Sequence, residues 1–107
     1  SMELAFAAIK IAAAKNGQNN ICLMGCNLGA GTDKVCEGLK AALEKEDLSV
    51  TILNNVLYDA EAMEKVSAAQ GAVLVEKAGS TLYNEIVAEL ELLKRLEIPV
   101  LGGITVE

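Results

Sequence analysis

Residues 21–34, ICLMGCNLGAGTDK, constrain the fold more than any other stretch of the chain. An apolar run stops at Gly25, three glycines fall within seven positions, and a helix-forming segment follows. An apolar run without alternation belongs to a strand covered on both faces. A glycine turn that hands such a strand to a helix is half of a βαβ unit, and so of a parallel sheet. The same turn gathers backbone N–H groups at the positive end of a helix, which is how α/β proteins cradle phosphate.

The remainder of the chain repeats this alternation. Residues 3–15 place Leu4, Ala8, Ile11 and Ala12 on one helical face, and Asn16-Gly17 supplies a stop. The central strand is expected at 20–25. A helix capped by Thr32 or Asp33 runs to about Glu46, with Val35, Leu39, Ala42 and Leu43 toward the sheet. A second strand follows at 48–53, then a helix from Asp59 to about Ala69 with Met63 and Val66 inward. The third strand is 72–76, and the turn at 78–81 opens a helix reaching Leu96 whose core stripe is Leu82, Ile86, Leu90 and Leu93. Its Glu85, Glu89 and Glu91 read as a solvated face. The last strand runs from Ile98 to Val106, with Pro99 tolerated at its start.

This order predicts one α/β domain over residues 1–107: a leading helix within 1–17 and a sheet core over 18–107. The expected architecture is a three-layer, Rossmann-like α/β/α sandwich with a four-stranded, mainly parallel sheet in order 2-1-3-4. The glycine loop then lies at the carboxyl end of strand 1, beside the topological switch point where open α/β sheets bind ligands.

Composition narrows the function. The chain is 52% hydrophobic but 3% aromatic, with a net charge of −6 and no histidine. Nucleic acid and anionic membranes are unsuited partners, because both require clustered Lys and Arg. Histidine acid–base chemistry is excluded. Cys22, Cys26 and Cys36 form no CxxC pair, which argues against a disulfide framework or a zinc site and fits a reducing cytoplasm. The apolar stretch 4–14 is broken by Lys10 and too short to span a bilayer. Ser1 before Met2 reads as a cloning remnant, and the end at Glu107 leaves room for a longer parent protein, through which any membrane contact would run.

The segment CNLGAGTDK and the C-terminal run of residues 70–107, QGAVLVEKAGSTLYNEIVAELELLKRLEIPVLGGITVE, resemble the P-loop ATPase domain of a bacterial family. That family comprises the tyrosine kinases and polysaccharide co-polymerase (chain-length determinant) proteins of capsule, exopolysaccharide and lipopolysaccharide biosynthesis. A working loop there has a lysine after its last glycine to reach the β- and γ-phosphates, followed by a magnesium-ligating Ser or Thr. By resemblance, Thr32 stands for that lysine, Asp33 for the magnesium ligand, and Asn27 for a second, signature lysine. Asn54 replaces a carboxylate expected at the end of strand 2, and Lys10 alone echoes an arginine-bearing helix used in ring assembly.

A cationic clamp turned neutral or acidic at each point implies weak or absent nucleotide binding. The vestigial anion-binding set is Asn27, Gly29, Ala30, Gly31, Thr32 and Asp33. Tyr58 and Tyr83 read as half-buried structural residues. The resemblance implies a non-catalytic, pseudo-kinase-like accessory or regulatory cytoplasmic domain, with no cofactor and no metal, that works through a protein partner or self-association.

Two alternatives share the loop. Cys26-x-x-Gly29-x-x-Thr32 resembles the loop of phosphotransferase-system IIB domains, where a cysteine is transiently phosphorylated; a thiolate at Cys26 would be favoured by the helix end. A small-anion or nucleotide sensor would use the backbone N–H groups of residues 29–33 alone. Cys22 and Cys36 read as small core residues.

Overall fold

The computed structural model describes residues 2–26, 28–79 and 83–107, with Ala30 in backbone only. The elements are α1 (Met2–Lys15), β1 (Asn20–Gly25), α2 (Ala30–Glu44), β2 (Ser49–Asn54), α3 (Ala60–Ser67), β3 (Gly71–Lys77), α4 (Tyr83–Arg95) and β4 (Val100–Val106). The four strands form one parallel sheet in the order β2-β1-β3-β4. The expected α/β architecture and strand order are thus the observed ones.

Each face of the sheet has its own core. On one, Ile21, Leu23, Val73, Val75 and Ile104 meet Ile9 and Ala13 of α1 and Cys36, Leu39 and Leu43 of α2. On the other, Cys22, Met24 and Ala72 meet Ala62 and Val66 of α3 and Leu92 and Leu93 of α4. The period of two along β1 sends Ile21 and Leu23 one way and Cys22 and Met24 the other, so this strand is apolar on both faces from Ile21 onward. Each fully buried Leu or Ile contributes roughly 2 kcal/mol to the folded state.

Turns close the units by the expected chemistry. Gly17 has a φ of 64°, as the stop after α1 requires. Asp59 caps α3, its carboxylate accepting from the N–H groups of Glu61 and Ala62. Pro99 precedes β4, and its carbonyl accepts from Ala72 N–H. The register between β3 and β4 shifts next to this point, at Ala72/Val73.

Several faces differ from expectation. In α1 the sheet side is Ile9 and Ala13, whereas Leu4, Ala8 and Ile11 are exposed. The helix has apolar residues on all sides, so the choice of face is made by the shape of the sheet beneath it. In α3, Ala62 is buried with Val66 and Met63 points outward. α2 begins at Ala30 with Gly29 as its cap residue, ahead of the Thr32 or Asp33 start read from the sequence. Tyr58 and Tyr83 are exposed rather than half-buried.

The largest correction concerns α4. Its buried residues are Glu85, Glu89, Leu92 and Leu93, while Leu90 is exposed and Ile86 half-buried. The core stripe is therefore rotated toward two of the glutamates, and of the expected solvated cluster only Glu91 faces water. Leu82 and the turn residues Ser80 and Thr81 lie outside the described residues.

Candidate functional site

The carboxyl ends of β1, β2 and β3 meet at the glycine loop. Gly25 fits there because a Cβ would run into the Val75 carbonyl oxygen, so β1 and β3 approach each other at a spacing only glycine allows. The Gly25 carbonyl accepts from Asn55 N–H at 2.8 Å, and Asn55 takes a left-handed conformation with φ 59° to deliver it. Beside it, Asn54 Oδ1 accepts from Leu28 N–H at 3.2 Å. The asparagine pair that ends β2 therefore fastens the loop to the sheet.

Thr32 is fully buried, and its hydroxyl is engaged twice within the loop. It accepts from Gly29 N–H at 3.0 Å and donates to the Gly29 carbonyl at 3.1 Å. That carbonyl also accepts the first helical bond, from Asp33 N–H at 2.8 Å. Thr32 thus occupies the third helical position and reaches back to the cap residue, as one half of a capping box does. Gly29, Gly31 and Asp33 are exposed. Asn27 falls outside the described residues, and of Ala30 only the backbone is placed, at the first position of α2. The ammonium of Lys77, at the end of β3, stands 3.9 Å from where a Cβ on Gly31 would be.

Cys26 points to the opposite face and is fully buried. Its thiol hydrogen-bonds the carboxyl groups of Glu89 and Glu85 on α4. Burial first, then the two carboxylates, push its pKa up to about 12. This is the reverse of the thiolate expected from the helix end: the nearby acids and the lack of water outweigh the dipole.

Glu89 is 2% exposed, and burial, with Glu85 adding to it, raises its pKa to about 7 against the partial relief of the Cys26 hydrogen bond. Its Oε2 has no hydrogen-bond partner. Glu85 accepts from the Tyr58 hydroxyl at 3.3 Å. Glu89 also borders a cleft of about 290 Å³ with Leu74, Glu76 and Thr105, where Thr105 Oγ1 donates to Glu76 Oε1 at 2.8 Å.

The structure therefore gathers two groups at one edge. Gly29, Gly31, Thr32 and Asp33 form the helix opening with Lys77 nearby, and Cys26 joins Glu85, Glu89 and Tyr58 on the other face. The second group is missed by reading glutamates as solvated. The spacing 85, 89, 92, 93 is itself a helical core stripe, and Leu92-Leu93 is the signal that places the two glutamates on it.

Among the described residues no set of three or more His, Cys, Asp or Glu is arranged to hold a metal ion, and no helix is long and apolar enough to cross a membrane. A scan against protein-family models, a search of curated proteins and a search of solved structures each find no match to this chain.

Proposed function

We propose that the chain is a non-catalytic, pseudo-ATPase-like accessory or regulatory domain of bacterial polysaccharide biosynthesis (capsule, exopolysaccharide or lipopolysaccharide), acting by docking to a protein. The placement in that machinery rests on the sequence resemblance of the glycine loop and residues 70–107. The observation that carries the non-catalytic part is Thr32. At the position where a P-loop extends a lysine toward phosphate, this chain has a buried hydroxyl that closes the loop on itself. Asn54, at the place of a metal-holding carboxylate, is likewise engaged with the loop backbone. The polar groups that would face a nucleotide and its magnesium instead stabilise the turn.

The test is a calorimetric titration with Mg-ATP and Mg-ADP, beside a working P-loop ATPase. No heat of binding is expected up to about millimolar nucleotide. Tighter binding would overturn the reading and make the domain a nucleotide switch.

A second reading is favoured by Lys77. An ammonium beside the exposed Gly31 of α2 suits a small anion, held by backbone N–H groups and one cation. Sulfate or phosphate would then raise the melting temperature of wild type, and less so that of Lys77→Ala. The phosphocarrier reading has no such support, since it requires an accessible thiolate and Cys26 is buried and protonated.

A further inference from the structure

We infer that two copies of this chain pair through the outer edge of β4, making one continuous sheet across a two-fold axis, with α1 packed against α1 of the second copy. The inference rests on the docking-module reading and names its partner. Among the described residues β4 pairs on one side only, with β3. The Val106 carbonyl is turned to β3, where it accepts from Ala78 N–H. Alternation along the strand then directs the N–H and C=O groups of Gly103 and Thr105 outward. Natural edges are commonly guarded by charge, by an internal proline or by a covering element. β4 reads VLGGITV, with no charge and no internal proline, and its register shift lies at the start, next to Val100.

The neighbouring helix adds a second contact on the same flank. α2 lies beside the Glu3, Phe6 and Lys10 side of α1: Glu3 and Phe6 share a cleft with α2, and Lys10 pairs with Glu46 just past its end. Ala5, Ala8 and Ala12 fall on the other side of α1, above the β4 edge, while Leu4 and Ile11, 73% and 57% exposed, point away from the sheet. A two-fold axis perpendicular to the sheet leaves both α1 helices on one face. Strands spaced about 4.8 Å apart and helices about 10 Å apart give each helix two strands to cover. Pairing β4 with itself keeps that spacing and brings the small side chain of Ala8 to the closest approach.

Register and charge fit a second copy. Antiparallel pairing centred on Ile104 sets Gly103 of each chain against Thr105 of the other, so the four outward backbone groups of these two residues are satisfied. Met2 and Ala5 share a cleft with Gly103, Thr105 and Glu107, so the start of α1 lies over the end of β4. Lys15, at the far end of the helix, lies toward the start of the strand, so the two-fold axis brings Glu107 of one copy to the end of the flank that carries Lys15 of the other. In a chain of net charge −6 this flank is otherwise apolar, so like-charge repulsion is least here.

Sedimentation equilibrium of the whole chain, from micromolar to roughly millimolar, tests the proposal. A concentration-dependent species of twice the 11.2 kDa chain mass is expected. Ala8→Arg should weaken it about tenfold or more, and Thr105→Pro, which removes an outward N–H and spares the β3 ladder, should do the same. Ala8 is exposed, so its variant keeps the fold even where Thr105→Pro does not. Ala8→Cys should form an intermolecular disulfide under mild oxidation. A monomer at every concentration, or a dimer indifferent to both variants, overturns the proposal. The Mg-ATP titration on the same samples separates the two readings. Nucleotide binding removes the docking module, whereas a monomer without nucleotide binding removes the self-pairing alone.

Discussion

The thiol of Cys26, just past β1, is hydrogen-bonded to the carboxyl group of Glu89 in the middle of α4, and both are shut away from water. Neither group gains its charge easily there. A buried acid with an oxygen that has no partner is a cost to the fold whenever it ionises.

That cost sets a pH dependence. Glu89 titrates near 4.5 when unfolded and at about 7 when folded, so the folded state holds the proton more tightly. Below about pH 4.5 the group is protonated in both states and carries no penalty. As pH rises through this window the unfolded chain ionises first and stability falls, by about 3 kcal/mol once pH exceeds 7. Glu89→Gln should abolish this contribution and stabilise the protein at pH 8, while changing little at pH 4.5. Urea unfolding at the two pH values checks it; an unchanged difference between them would refute the assignment.

Thiol reactivity should be low in the native state. Cys22 and Cys26 are both pushed up to about 12, by burial in the first place, and burial with Asp33 and Glu37 raises Cys36 as well. At pH 8 a disulfide reagent should modify all three at least about a hundredfold more slowly than in urea. A single fast-reacting cysteine in native protein would show that one of these sites opens readily.

Thr32 can be probed from two directions. Thr32→Val keeps the volume and loses both hydroxyl bonds, so it should lower stability by about 1 kcal/mol in thermal unfolding. Thr32→Lys, which restores only the lysine of a working loop, should cost roughly 3 kcal/mol because the ammonium would enter a fully buried position. It should not confer Mg-ATP binding. A stable lysine variant that binds nucleotide would mean the loop opens at little cost.

Two glycines should answer oppositely to alanine. Gly38 lies inside α2 with open space around its missing Cβ, so Gly38→Ala should raise stability by about 0.5–1 kcal/mol. Gly25→Ala forces a methyl group onto the Val75 carbonyl and should cost more than about 2 kcal/mol. Denaturant midpoints of the two variants against wild type decide both.

The strands and their order were legible because β1 and β3 hold unbroken apolar runs, 21–24 and 72–75, and each is followed by a glycine turn and a helix-forming segment. Faces of helices were less so. In α1 the charges Glu3 and Lys10 share one flank and the rest before Lys15 is apolar, which leaves the sheet side open, and in α4 leucines at 90, 92 and 93 support two different stripes. Leu92 beside Leu93 favours the stripe that carries Glu85 and Glu89, and the contacts of Glu85 with Tyr58 and of Glu89 with Cys26, made by residues far apart in the chain, are what let acids sit on it. The loop was legible as a shape from its glycines. What Thr32 and Asn54 do there was not, because a hydroxyl or amide aimed at a ligand and one aimed at its own backbone have the same letter.

Met2 and Glu107 border one cleft, since the first helix packs on the last strand. In a parallel sheet no strand can pair with its neighbour through a hairpin, so every ladder waits for a distant segment. α1 waits longest. Its seat is completed only when β4, the element farthest from it among those described, has joined the sheet, so its apolar face stays uncovered until that long-range contact is made.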